Sequence, residues 1–188
     1  MFDSVPAPLQ FTVNINGTGY VAGYVPFELA NQGTTNVHLI YNGAPSPPVT
    51  LNVINAVPAI FSVSTTGGGQ GAILNQDFSL NGQGNGALPG QLVYIYGGGA
   101  GQTAPPGRTG GVTGVGAPVA NLNLPVTVFI DGVEATDVPY AGPAPSLIEG
   151  VFQVNVRIPP NARTGASLPV VIQVGDKVTQ PGVTVYVQ

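Results

Sequence analysis

Residues 151–160 read VFQVNVRIPP, and apolar and polar positions alternate along them. Phe152, Val154, Val156 and Ile158 fall on one side of an extended chain, while Val151, Gln153, Asn155 and Arg157 fall on the other. A period of two marks a half-buried strand, its apolar side on a core and its polar side towards water. Pro159-Pro160 ends it, because proline has no N–H to give to a ladder. Runs of the same kind predict strands at 72–75, 92–96, 126–131, 134–140, 168–174 and 183–187. With 151–158 these make seven strands, separated by turn signals at the spacing of an immunoglobulin-like sandwich. Upstream, 11–16, 20–25, 36–41 and 49–54 predict four more strands, the first and third closing on Asn16-Gly17 and Asn42-Gly43. Residues 27–30 have room for one helical turn before Gly33, and a sustained helical period free of Gly and Pro is absent throughout.

The pattern repeats. Phe11-Thr-Val-Asn-Ile-Asn-Gly17 matches Val126-Thr-Val-Phe-Ile-Asp-Gly132, and Val25-Pro26 matches Ile158-Pro159. Residues 37–42 match 170–175, and Pro48-Val49-Thr50 matches Gly182-Val183-Thr184. The offset is 115 at the first match (126 − 11) and 133 at the second (158 − 25), so the first copy lacks about eighteen residues that hold the return strand. The fold class expected is therefore all-β: tandem immunoglobulin-like β-sandwich modules, the N-terminal one incomplete. The boundaries are 1–56 for the truncated module and 57–188 for the complete sandwich, with Ala56-Val57-Pro58-Ala59-Ile60-Phe61 as the apolar linker that docks one on the other. Residues 97–116 form a long Gly, Pro, Thr and Ala loop, the kind that is functional or mobile inside a compact domain.

Several stretches carry a resemblance. Ala59-Ile60-Phe61, Gly71-Ala72-Ile73-Leu74-Asn75-Gln76-Asp77, Pro89-Gly90 before Leu92-Val93-Tyr94-Ile95-Tyr96-Gly97, and Val151-Phe152-Gln153-Val154-Asn155-Val156 resemble the acidobacterial (Solibacter-type) uncharacterised C-terminal domain. The resemblance covers nearly the whole chain. It implies a secreted or surface-attached β protein, often at the end of a much longer polypeptide, and it implies no catalytic or ligand-binding residues.

Composition narrows the function. Only 6% of residues are charged, against roughly 25% in an ordinary soluble domain, so Asn, Gln, Ser, Thr and backbone must dominate the surface. The net charge is −4, and the four basic residues are Arg108, Arg157, Arg163 and Lys177. Such a chain cannot neutralise a run of phosphates, which argues against nucleic acid and against an anionic membrane surface. With no cysteine there is neither a disulfide framework nor a thiolate metal site. No apolar run approaches the ~20 residues of a membrane span. Met1-Phe2-Asp3-Ser4 has neither the basic start nor the apolar stretch of a signal peptide, so either the numbering begins at a mature or trimmed start or export by that route is not used.

Candidate chemistry is thin. Gly67-x-Gly69-x-x-Ala72 and Gly99-x-Gly101-x-x-Ala104 mimic a dinucleotide fingerprint, but the first runs into a β region and the second into Pro105-Pro106, where the mechanism needs a helix N-terminus. His38 is the sole histidine and is expected at the surface; a triad would have to use it without a G-x-S-x-G elbow. Asp131, Glu134 and Asp137, with Glu149 near them, alternate between faces and converge poorly for calcium. Lys177 beside Asp176 sits in a turn, not in the buried site an isopeptide bond requires. Asn16-Gly17-Thr18 fits a glycosylation sequon and a hairpin turn, and the turn is preferred. No catalytic, cofactor-binding or metal-binding residue is assigned, and no cofactor is expected.

The expectation is a non-catalytic structural protein, extracellular or on the cell surface, whose open first module takes a strand from another copy in a head-to-tail homopolymer or filament. Residues 1–10 are the expected donor, or else an edge strand of the next subunit. The alternative is a carbohydrate-binding or adhesive module of a larger surface protein, with surface polysaccharide as partner. That reading requires Tyr20, Tyr24, Tyr41, Tyr94, Tyr96, Tyr140 and Tyr186, or some of them, to cluster on one sheet face.

Overall fold

The computed structural model of the chain describes residues 1–115 and 120–188. Among them every regular element is a strand except one 3₁₀ turn at Phe27–Leu29, so the chain is all-β. The strand Val151–Arg157 buries Phe152, Val154 and Val156, and Ile158 just beyond it, while Gln153 and Asn155 stay half-buried and Arg157 exposed. It lies inside a front sheet between Tyr140–Pro143 and Leu92–Gly98; Ala59–Ile60 and Ile73–Leu74 both pair with the far edge of Leu92–Gly98. The back sheet runs Val133–Ala135, Val126–Ile130, Gly165–Val174, Val183–Val187, Gly69–Gln70. Its last pair is parallel, and Lys177–Val178 folds back on the end of the long strand. Val93, Ile95, Val154 and Val156 from the front meet Val128, Ile130, Ile172, Val174 and Val185 from the back, all at 0% exposure, in one apolar cluster. Each such side chain stabilises the fold by about 1.5–3 kcal/mol on full burial.

Three expectations need correction. The single return strand at 134–140 is two strands in different sheets: Val133–Ala135 stays on Val126–Ile130, and Tyr140–Pro143 has crossed to the front. The break falls at Asp137, whose carbonyl accepts the N–H of Arg157 (2.9 Å) in the front sheet, and at Pro139, which has no N–H to continue a ladder. The strand at 36–41 also divides, because Thr34–Val37 pairs with Val49–Asn52 whereas Ile40–Tyr41 hairpins onto Ala44–Pro45. The loop at 97–116 is not wholly irregular: Leu92–Gly98 extends into it, and Thr103–Ala104 pairs with Asn121–Leu122. Its last residue, Gly116, lies outside the described residues.

The linker docks by a mechanism that the apolar pattern alone does not suggest. Ala59 and Ile60 pair with Gly98 and Gly97, and Val57 N donates to Gly99 O at 2.8 Å. A Cβ on Gly97, Gly99 or Gly101 would lie 2.2, 2.1 or 2.1 Å from the carbonyl oxygen of Ala59, Val57 or Asn55. Alternate glycines thus admit alternate carbonyls, a closeness that any side chain forbids. Gln180 fastens the far end, its Nε2 donating to Ile60 O (2.6 Å) and its Oε1 accepting from Ile60 N (3.0 Å). Residues 99–104, which look like a nucleotide loop in sequence, begin as the linker's seat.

The internal repeat recurs as geometry. Leu9–Ile15 and Thr18–Gly23 form a hairpin in which Val13 faces Tyr20 and Ile15 faces Thr18. In the second copy Val128 faces Ala135 and Ile130 faces Val133, the same register. Both turns have positive φ at two successive residues, Asn16-Gly17 (52° and 84°) and Asp131-Gly132 (53° and 75°), as a right-twisted two-residue hairpin requires. Tyr41 faces Ala44 as Val174 faces Lys177, and Thr35 faces Leu51 as Leu168 faces Val185. Even a side-chain bond recurs: Ser46 Oγ accepts from Leu39 N (3.1 Å) as Thr179 Oγ1 accepts from Ile172 N (3.0 Å).

Burial separates the copies. The apolar cluster draws its members from Ala56 to Val187, and in residues 1–55 Leu29 is the one buried hydrophobic of the core set. Tyr24 and Phe27 dock this part on the sandwich. A Cβ at Gly150 would stand 3.1 Å from the Tyr24 ring, and one at Gly107 would stand 2.6 Å from that of Phe27. Gln102 Nε2 donates to Phe27 O (2.9 Å) and Phe27 N donates to Thr109 Oγ1 (2.8 Å), so the long loop supplies the contact.

Candidate interaction surfaces

The residues singled out for chemistry do not assemble. His38 is half-buried, and its main chain bonds to Met1 in both directions. Asp3 accepts from Thr35 Oγ1 (2.7 Å) and Asn36 N (3.0 Å), bonds that hold its carboxyl below the ordinary value. The four carboxylates considered for calcium are dispersed, three of them on separate arginines. Asp131 takes Arg163 in a two-point pair at 2.6 Å, Asp137 takes Arg157 at 2.8 Å, and Glu149 takes Arg108 at 3.1 Å; Glu134 is exposed. Among the described residues no three His, Cys, Asp or Glu converge on a metal-sized space. Lys177 Nζ bonds Asp176 (2.7 Å) at a side chain 44% exposed. All four basic residues are therefore ion-paired. The Arg163 bonds and charge hold the Asp131 carboxyl below its ordinary value. Gly69-Gln70 enters a strand, without the helix that a dinucleotide fingerprint needs. An open cleft of about 300 Å³ is lined by Leu122, Leu124, Val126, Val138, Pro139 and Tyr140 among others, none of them charged, and the Tyr140 hydroxyl is already spent on Pro143 O (2.6 Å). Among the described residues no helix is long and apolar enough to cross a membrane.

Two surfaces do stand out. The first is the outer face of the front sheet. Alternation along Leu92–Gly98 sends Val93 and Ile95 inward and leaves Tyr94 and Tyr96 half-buried outside. Register places Tyr94 beside Asn155, Tyr96 beside Gln153, and Tyr140 on the other flank of Asn155. Strands lie about 4.8 Å apart, so Tyr140 and Tyr94 stand about 10 Å apart with an amide between them. Burial raises the Tyr96 and Tyr140 hydroxyls above their ordinary value, so both stay neutral donors. Gln153 Nε2 donates to Asn155 Oδ1 at 2.7 Å.

Phe78 completes this face, and sequence reasoning missed it in the loop at 77–90. Its ring stacks on Tyr94 with centroids 4.8 Å apart and planes 13° from parallel, yet the residue is 65% exposed. Its φ is +65°, a left-handed conformation that costs an L-residue about 1–2 kcal/mol. The stack offsets about 0.5–1.5 kcal/mol of that. The turn is bolted in place: Phe78 N donates to Asn75 O (2.9 Å), and Asp77 Oδ1 accepts from Ser79 N (3.0 Å) and Oγ (2.6 Å). Beneath it Asn81, at 0% exposure, donates to Asn75 Oδ1 (2.8 Å) and Tyr186 O (2.9 Å) and accepts from Gln70 Nε2 (3.1 Å). The sequence signal was an aromatic residue alone among Asn, Asp, Ser and Gly.

The second surface is the Leu9–Gly23 hairpin. Phe11, Val13, Ile15 and Tyr20 share one face, and all are 43–52% exposed. Their counterparts Val128 and Ile130 are at 0%. In the second copy this hairpin lies along the long back-sheet strand, Phe129 beside Val171 and Ile130 beside Val170. In the first copy the equivalent place is taken by the chain's first residues. Phe2 bridges Val37, and Met1 bonds His38 in both directions (2.9 and 3.1 Å). Residues 1–3 are thus engaged inside the chain, which corrects their expected role as the free donor. Leu39, Ile40 and Tyr41 remain 52–79% exposed. Comparison of the chain with family models, curated proteins and solved structures finds no match.

Proposed function

We propose that this chain is a non-catalytic structural protein, extracellular or on the cell surface, that joins further copies of itself by β-strand complementation. It consists in this reading of tandem immunoglobulin-like modules, the first incomplete. The observation that carries the proposal is a donor and an acceptor that belong together and do not meet. The Leu9–Gly23 hairpin has the register and turn of its sister yet packs on no sheet, while the 37–41 segment that should receive it holds residues 1–3 instead. A hairpin with an uncovered apolar face is marginal in water and gains by pairing. Charge does not guard it, since Lys177, the sole lysine, lies in the other module. The hairpin of one copy, displacing residues 1–3 from the 37–41 edge of the next, makes a head-to-tail contact, which extends into a filament when the rotation does not close. The location rests on the resemblance to the acidobacterial surface domain.

The test is mass against concentration by light scattering. The wild-type chain should gain mass with concentration, and Val13→Asp should remain monomeric with an unchanged melting temperature, because Val13 is 43% exposed and supports no core. A wild-type chain monomeric up to about 1 mM, the weak end of specific association, would end the proposal.

A further inference from the structure

We propose that the outer face of the front sheet, built from Phe78, Tyr94, Tyr96, Tyr140, Gln153 and Asn155, is a binding site for a neutral carbohydrate chain. The inference does not rest on self-assembly, since it uses the opposite end of the chain's surface chemistry: flat rings and amides, not an open strand edge.

Phe78 argues for a ligand first. A bulky apolar residue kept at φ +65° and 65% exposed is unfavourable on both counts, and residues held in this backbone conformation cluster at binding and catalytic sites. The ring is not loose. It lies flat on Tyr94, over a turn tied to the buried Asn75 and Asn81, so a planar apolar surface is presented before any ligand arrives.

The neighbours then choose the chemistry. Tyr96 and Tyr140 add two half-buried rings whose hydroxyls stay neutral. Between them the Gln153–Asn155 amide pair, joined by a hydrogen bond, offers donors and acceptors in a row along the central strand. The C–H face of a pyranose ring packs on an aromatic face, whose electron density is negative, and its hydroxyls match planar amides. The platform residues carry no formal charge; flanking Asp77 is held on Ser79 and Arg157 on Asp137. Stacked nucleobases would suit the rings equally well, but their phosphates would need free cations, and all four basic side chains are ion-paired. The strand spacing of about 10 Å from Tyr140 to Tyr94, which carries the Phe78 ring, suits alternate residues of an extended glycan rather than a single sugar.

The experiment is affinity electrophoresis of the full chain in gels containing a neutral β-glucan, mannan, xylan or galactan, with an anionic polyuronate for comparison. It is run in the Val13→Asp background so that self-association does not multiply weak contacts. At least one neutral polysaccharide should retard the protein and the polyuronate should not. Phe78→Ala should weaken the retardation about tenfold and Phe78→Tyr should retain it, as loss and retention of one stacking face predict. Melting temperatures of the variants confirm that each is folded. Absence of retardation by every neutral polymer, or retardation indifferent to Phe78→Ala, would overturn the assignment. A Phe78→Ala effect on the mass of the wild-type background alone would make the face a protein contact and overturn it equally.

Discussion

Gly97→Ala tests the seat of the linker with one methyl group. Gly97 has an ordinary strand backbone, so alanine brings no conformational strain there, only volume. That volume has nowhere to go. The new Cβ would lie 2.2 Å from Ala59 O and 2.3 Å from Phe152 Cζ. The carbonyl belongs to a paired strand and cannot rotate away, and Phe152 is 2% exposed in the core. Overpacking of this kind costs typically about 1–3 kcal/mol, and two rigid contacts place this site at the upper end. For a chain of this size about 3 kcal/mol lowers the melting temperature by about 6–12 °C. Gly82→Ala is the matched control, since its Cβ meets nothing within 4 Å and its φ is not positive. It should be neutral or stabilising by up to about 1 kcal/mol through the unfolded chain. Differential scanning calorimetry reads both. Should Gly97→Ala melt within about 2 °C of wild type, less than 1 kcal/mol would be at stake, and the close carbonyl–glycine approach could not be what holds the linker.

Burial should decide the worth of the repeated hydroxyl bond. Thr179→Val strands the buried Ile172 N–H and should cost about 1–3 kcal/mol, whereas Ser46→Ala frees Leu39 N–H to water and should cost under about 0.5 kcal/mol in urea unfolding. Equal losses at the two sites would refute the argument from burial. Asp131 should shape the acid limb of stability. Its folded pKa is depressed by Arg163, so its contribution is present above the unfolded value near 3.8 and disappears as pH falls through the folded one. Asp131→Asn should flatten the melting temperature against pH in that window, modestly because Arg163 is 74% exposed, and an unchanged acid limb would show the pair to be inert.

Much of this molecule is local in origin, and that part is legible in the residues. Strict alternation at 151–158 could only bury Phe152, Val154, Val156 and Ile158 together, because the pleat sends every second side chain to one face. Asn16-Gly17 and Asp131-Gly132 could only be tight hairpin turns, because few residues accept two successive positive φ angles. The repeat was equally plain, down to partners that face each other across strands.

What the residues alone left open depends on contacts distant in sequence. Val13 and Ile15 are the same residues as Val128 and Ile130 in the same alternation, yet the first pair is uncovered and the second is core, since only the second has an opposing sheet to face. The return strand divides because Tyr140–Pro143 finds partners in Val151–Arg157 that a linear pattern cannot name. Gly97, Gly99 and Gly101 read as flexible loop until Asn55, Val57 and Ala59 are laid against them. Phe78 reads as a turn residue until Tyr94, sixteen positions on (94 − 78), is brought beneath its ring. Periodicity is a property of neighbours along the chain; which face is covered, and by what, is a property of the closed sandwich.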